Sequence, residues 1–266
     1  MLVPLAGVVL YFLLNFLQGI AASIPALRAA IARRPAHVEQ SVVAMSRRRD
    51  IVLILDDVGF DHQPLHSAMD IDPNINFAVL PNSRNAHEVA SALHARGFEV
   101  LCHLPMEPEG FPRISPGSRA VLTSMSDAEI ARTTRDNIGA VPFARGVNNH
   151  MGSRATADRR VMSNVLGALP EGMYFIDSKT TGSSVASAVA RAMHVKTASR
   201  SVFLDDVQSE TAIRRQLASL TRAAETHGMA VGIGHMYGPT IKVLAEEAPF
   251  LRARGVRFVR ASAAVQ

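Results

Sequence analysis

Short apolar runs recur along this chain, and most of them stop on an acid or a histidine. The clearest is Ile51-Val52-Leu53-Ile54-Leu55, followed by Asp56, Asp57, Val58 and Gly59. An unbroken aliphatic run rich in β-branched residues predicts a strand buried on both faces, as in parallel sheets. Residues 75–80 predict a second strand closed by Pro81, and residues 98–102 a third that ends on His103. Residues 146–149 lead to His150, residues 173–176 end on Asp177, and residues 201–204 run into Asp205 and Asp206. Residues 229–234 end on His235, and residues 256–259 form a last strand. Helical stretches separate these runs. Asn85 and Glu88 open one that Gly97 stops; Ser126 and Glu129 form a capping box for another. Ile213, Leu217 and Leu220 line one face of a helix over residues 211–227, stopped by Gly228.

About eight strands alternating with helices is the signature of a parallel sheet. Residues 51–266 suit a barrel of roughly 200–250 residues, although an open doubly wound sheet has the same alternation. The polar residues tip the choice. A barrel gathers the carboxyl ends of its strands on one rim, whereas an open sheet spreads them along an edge. The expected fold is therefore α/β, a (β/α) barrel of about seven or eight units.

Residues 1–22 are apolar and carry no charge, and the run is about long enough to cross a bilayer. Gly19, Ile20 and Ala21 offer small residues for signal cleavage, yet no Lys or Arg precedes the run. Arg28, Arg33 and Arg34 follow it, which the positive-inside rule places in the cytoplasm. These cues conflict, leaving open an uncleaved membrane anchor, a cleaved signal, and a mis-chosen start or buried helix. The uncharged apolar run itself is what points to a periplasmic or other extracytoplasmic domain, held at the inner membrane if the run is uncleaved. Residues 23–50, with Pro25, Pro35 and Arg47-Arg48-Arg49, read as a linker.

Composition narrows the classes. The 266 residues are 48% hydrophobic and 19% charged, which fits one α/β domain plus an extension. A net charge of +5 with scattered arginines predicts no nucleic-acid footprint. The single Cys102 excludes an internal disulfide framework and a cysteine-only zinc site. Gly232-Ile233-Gly234 lacks the remaining glycine of a dinucleotide loop, no Walker-type loop occurs, and Ser153 and Ser183 lack a nucleophile elbow.

The strand ends carry the chemistry. Two His and one carboxylate on separate strands form an ordinary ligand set for zinc or a similar divalent ion with one open position, and Asp57, His103 and His150 can supply it. Asp56 then stands as a candidate general base and His235 as a candidate general acid. His62, His66, His87, His94, His194 and His227 lack strand-end placement and read as ordinary residues. Taken singly, Asp56 and Asp57 also suit a turn or helix cap. The set as a whole points to a site.

Leu55-Asp56-Asp57-Val58-Gly59, His103, Asn148-Asn149-His150-Met151-Gly152-Ser153, Phe175-Ile176-Asp177-Ser178, Phe203-Leu204-Asp205 and Gly234-His235 resemble the divergent polysaccharide deacetylase family. The resemblance covers about residues 50–262. It implies a bacterial-envelope, metal-dependent N-deacetylase ancestry on a deformed (β/α) barrel, with an acetylated polysaccharide or amino sugar as substrate and zinc as the expected ion. It further implies Asp57 as a ligand, Asp56 as the base, and Glu107, Asn149, Asp177 and Asp205 as substrate-binding positions. The chain departs from mainstream deacetylases in two places. Their His-x-x-x-His metal pair is replaced by His103-Leu104-Pro105-Met106-Glu107, and their Arg-Pro-Pro-Tyr type block by the Asn-Asn-His-Met-Gly stretch. His150 is expected to take over the missing ligand, with Glu107 as the alternative. A catalytically inactive, sugar- or partner-binding envelope protein is the rival expectation.

Overall fold

The computed structural model describes residues 49–265. The apolar segment 1–22 and all of the expected linker except Arg49 and Asp50 lie outside the described residues. Among the described residues there are nine strands: β1 (Asp50–Val58), β2 (Asn76–Val79), β3 (Glu99–Met106), β4 (Gly146–Met151), β5 (Tyr174–Asp177), β6 (Thr197–Ser199), β7 (Val202–Phe203), β8 (Met229–His235) and β9 (Arg257–Phe258). The helices are α1 (Leu65–Met69), α2 (Ala86–Ala95), α3 (Asp127–Gly139), α4 (Arg159–Gly167), α5 (Ala186–Ala192), α6 (Glu210–His227) and α7 (Gly238–Ala253).

Eight strands lie in the order β6-β5-β4-β3-β2-β1-β8-β7, with β9 pairing β1 at Asp50 and Ile51. Every ladder is parallel. Only Arg200 and Ser201 separate the two edge strands β6 and β7. A link that short spans roughly 10 Å, so the edges are drawn together and the sheet curls into a half-barrel with a seam. This is the deacetylase-type barrel that the strand-end pattern predicts.

Strand periodicity sorts the core into two layers. Ile51, Leu53 and Leu55 of β1 join Val100, Cys102 and Leu104 of β3 in the outer layer beneath the helices. Val52 and Ile54 point the other way and meet Leu101, Tyr174, Ile176, Val231 and Ile233 inside the barrel. Side chains further along the same inward rows emerge at the carboxyl rim.

Some boundaries differ from expectation. β1 and β3 run on to Val58 and Met106, so Asp56, Asp57 and His103 lie within strands rather than after them. The strand expected at residues 201–204 is the two-residue β7, preceded by an unanticipated β6. The polar stretch after Gly59 holds α1, too short to show an apolar period.

Candidate metal centre

The inward row of β1 continues from Val52 and Ile54 to Asp56, which is 2% exposed. Strict alternation would send Asp57 toward the helices. Instead, Leu55 and Val58 both pack in the outer layer although three positions apart, and the β1–β2 register breaks between them. One extra residue is thus accommodated, as in a bulge, and both acids are available to the rim. Asp57 takes a left-handed φ of 59° to do so, an uncommon conformation for a non-glycine residue and one that clusters at active sites. The turn is clasped by Gln63, which donates from Nε2 to the Asp57 carbonyl (2.7 Å) and accepts from the Gly59 and Phe60 amides at Oε1 (2.9 and 3.1 Å). Gly59 is needed here, since a Cβ would lie 2.1 Å from Ser83 Oγ.

β3 and β4 supply the histidines. His103 is the Cα partner of Asn148, and His150 lies two residues further on, so Asn148 and His150 share the inward face. Among the described residues, Asp57, His103 and His150 form the group of His and acid side chains whose ligand atoms all lie within 4.8 Å of one another. Asp57 Oδ1 is 2.9 Å from His150 Nδ1 and 3.2 Å from His103 Nε2, and those two nitrogens are 3.2 Å apart. Ligand atoms about 2.0 Å from a tetrahedral ion stand about 3.3 Å apart, so this triangle has the size of one face of such a site. Asp57 Oδ1 is buried and receives no hydrogen bond. A buried oxygen with no donor, facing two imidazole nitrogens, is what a divalent cation satisfies. The residues fit the ion.

The surrounding charges are set by the same proximity. Burial pushes the Asp57 carboxyl up, but the His103 and His150 imidazoles more than offset it and hold it well below the usual carboxylate range. Asp56 goes the other way: burial raises it, and His103, His235 and the Asn148 amide only partly compensate. His103 is pushed down by burial and raised overall by Asp56 and Asp57. Two adjacent acids therefore have separated affinities for a proton, the pattern by which sites divide ligand and base roles.

β8 brings His235 to the same rim as the Cα partner of Asp56. Asp205 accepts from His235 Nδ1 (2.9 Å) at Oδ1, and from the His235 amide and Thr240 Oγ1 (both 2.7 Å) at Oδ2. His235 Nε2 is left facing Asp57 Oδ2 at 3.8 Å. Burial lowers its basicity, while Asp205, Asp56 and Asp57 raise it further, to about 9.

The structure thus brings Asp56, Asp57, His103, His150 and His235 together. The four expected substrate-binding residues have their polar atoms engaged inside the fold. Glu107 accepts from the Thr123 amide (2.6 Å), Thr123 Oγ1 (2.8 Å) and Arg154 Nη1 (2.8 Å), and it is no part of the ligand cluster. Asn149 pairs with outward-facing Leu104, so it faces the helices; it donates to Met151 O (2.7 Å) and accepts from the Ser178 amide (2.9 Å). Asp177 accepts from the Lys179 amide and Ser184 Oγ, both at 2.8 Å. Asp205 orients His235 rather than facing a ligand.

Three rim residues were missed by the sequence reading. Asn148 lies between Asp56 and His103, a position its alternation with outward Val147 could have revealed. Tyr237 places its ring 5.1 Å from the His235 ring, a neighbour readable from its two-residue spacing. Arg200 covers the Phe203 ring at 4.9 Å while donating to Ser178 O and Lys179 O. It sits in the link between edge strands, where no periodicity operates.

The curled parallel barrel with an Asp/His cluster on its carboxyl rim is consistent with the deacetylase type of (β/α) barrel. Residues 53–265 match the divergent polysaccharide deacetylase family, and the chain belongs to that family. It is 36% identical over 197 residues to the uncharacterized protein YibQ of Escherichia coli K12; the match covers 74% of this chain and 61% of YibQ. Among solved structures it is similar to the uncharacterized protein ATU2773 from Agrobacterium tumefaciens C58, with a TM-score of 0.76 at 21% identity over 82% of this chain and 89% of that one. It is also similar in fold to the Bc1960 peptidoglycan N-acetylglucosamine deacetylase, with a TM-score of 0.52 at 13% identity, covering 82% and 89%.

Proposed function

We propose that this chain is a metal-dependent hydrolase that removes N-acetyl groups from an amino-sugar polysaccharide of the bacterial envelope. The observation that carries the reading is the buried, donor-free Asp57 Oδ1 facing His103 Nε2 and His150 Nδ1. Membership of the family supports the reaction class, and the activity of the Bc1960 deacetylase supports the amino-sugar substrate. Asp57, His103 and His150 would hold the ion, zinc being the one their donor set suits best. When bound, such an ion polarises a carbonyl and eases deprotonation of water.

The protein's own groups supply the remainder. Asp56, raised by burial and held by Asn148, takes a proton from the attacking water as its oxygen bonds to the acetyl carbon. His235 is protonated at neutral pH and presents Nε2 to the rim, so it protonates the amine as the C–N bond breaks. Acetate and the free amino sugar leave. Asp205 keeps the His235 ring aimed throughout. The site works outside the cytoplasm in this proposal, with residues 1–22 as tether or cleaved signal.

One observation favours a second reading, a non-catalytic sugar- or partner-binding barrel. The position that carries a second metal His in mainstream deacetylases is Glu107, a residue committed to Thr123 and Arg154. Metal analysis of the purified protein, then acetate-release assays over a panel of acetylated glycans, separates the two. A zinc-loaded protein that releases acetate and loses that activity in Asp56→Asn supports the hydrolase. A protein whose every measurable effect survives Asp56→Asn is a binding module.

A further inference from the structure

We infer that Asn148 is a positioning residue that couples the two halves of the rim, fixing the tautomer of His103 and the direction of the Asp56 carboxylate through one side-chain amide. The inference rests on the reading of Asp57, His103 and His150 as metal ligands.

Asn148 is fully buried, and each polar atom of its side chain is engaged. Nδ2 donates to Asp56 Oδ1 at 2.8 Å and to Ser178 Oγ at 3.3 Å; Oδ1 lies 2.9 Å from His103 Nδ1. A carboxylate only accepts hydrogen bonds, so the NH₂ group must face Asp56. That leaves Oδ1 against His103, which must then donate from Nδ1. In the neutral ring the proton on Nδ1 leaves the lone pair on Nε2. Nε2 is the atom that stands 3.2 Å from both Asp57 Oδ1 and His150 Nδ1. The opposite amide orientation would set a carbonyl oxygen against the Asp56 carboxylate, two acceptors with no proton between them. One orientation of one amide therefore determines which imidazole nitrogen can take a metal. The same amide holds the carboxylate that takes the water's proton.

The backbone enforces this. Asn148 is directly opposite His103 in the β3–β4 ladder, so the register holds both side chains on the same face. Among the described residues, no carboxylate and no backbone carbonyl is bonded to His103 Nδ1. The usual partner that orients a metal-ligating His is here a neutral amide, which can serve the base as well.

The test uses the full chain, labelled with ¹⁵N-histidine and kept metal-free in detergent. Long-range ¹H–¹⁵N correlation, recorded at a pH where the His103 ring is neutral, should show its proton on Nδ1. Asn148→Leu should mix or switch that tautomer and weaken Zn²⁺ binding, read by calorimetry, by about 10–100-fold, the usual effect of losing such a partner. Asn148→Asp keeps an acceptor opposite Nδ1 but sets a like charge beside Asp56. It should hold the tautomer and keep Zn²⁺ affinity close to that of the parent, yet lower acetate release by about 10²-fold or more. An Nε2–H tautomer in the parent protein overturns the inference, as does an Asn148→Leu protein with unchanged tautomer and zinc affinity. Should Asn148→Leu not fold, the parent spectrum and Asn148→Asp still decide. A parent chain that binds no zinc removes the ligand reading, while its tautomer separately decides the role of Asn148.

Discussion

The barrel holds a buried carboxylate cluster at each end, and the two are solved in opposite ways. At the floor, Glu99 begins β3 and accepts at Oε1 from Tyr174 OH and the Ser262 amide, both at 2.7 Å, and at Oε2 from Ser262 Oγ at 2.6 Å. Neighbouring Asn76 is likewise engaged, accepting from the Ala261 amide and donating to Leu53 O. At the rim, four residues along the same strand, His103 faces an Asp57 oxygen that nothing donates to. A buried acceptor left unmet costs about 1–3 kcal/mol. The floor belongs to the fold, because every group there finds its partner within the chain. The rim is left incomplete by the fold, and a cation is what the proposed function puts there.

His103→Ala should have the largest effect, removing one of three ligands. Bound zinc and acetate release should both disappear, which elemental analysis and a turnover assay will show; retention of stoichiometric zinc would dissociate the rim from metal binding. Asp56→Asn comes next. It should leave zinc bound and lower turnover by about 10²–10⁴-fold, because it removes a base and no ligand. The floor should answer differently. Glu99→Gln is expected to cost about 1.5–3 kcal/mol in urea unfolding while leaving zinc affinity and turnover intact; a loss of metal there would mean the two ends are not independent.

Asp205→Asn has a subtler expected effect, seen in pH rather than in amount. In the metal-free protein His235 titrates near 9, above its ordinary 6.5. Because the folded value is raised, its contribution to stability is complete below about 6.5 and is lost as pH rises through 9. Asp205→Asn should bring the NMR titration of His235 down toward neutrality, with the loss of stability and of general-acid activity moving down with it. An unchanged titration would show that Asp205 holds the ring without charging it. The smallest effect is expected for Glu107→Gln. Zinc affinity should stay within a few-fold, since its carboxylate serves Thr123 and Arg154; a large loss would return Glu107 to the ligand set.

How much of this was written in the sequence differs between the two ends. Apolar runs such as 51–55 and 229–234 announced the parallel strands, because burial on both faces demands them. Their polar continuations announced Asp56, His103, His150 and His235. One-residue geometry was not legible: Asp57 was named as a ligand candidate, but the register break and left-handed backbone that bring it to the rim have no compositional mark at two adjacent acids. The internal partners of Glu107, Asn149, Asp177 and Asp205 were hidden for the same reason that Asn148 was passed over. A polar residue at a strand end can bind a ligand or satisfy a neighbouring loop, and only the hydrogen-bond partner tells which. The floor was invisible, since Glu99 and Ser262 meet across 163 positions.

Cys102 sits one residue before His103, on the helix side of β3, and is fully buried. Burial pushes its thiol far above the ordinary range, so it stays protonated and unreactive. It is also the chain's single cysteine. The native protein is therefore already a silent background for thiol chemistry. A cysteine placed at an exposed rim position such as Tyr237 will be the one site that a maleimide dye or spin label takes, with no native residue to remove first.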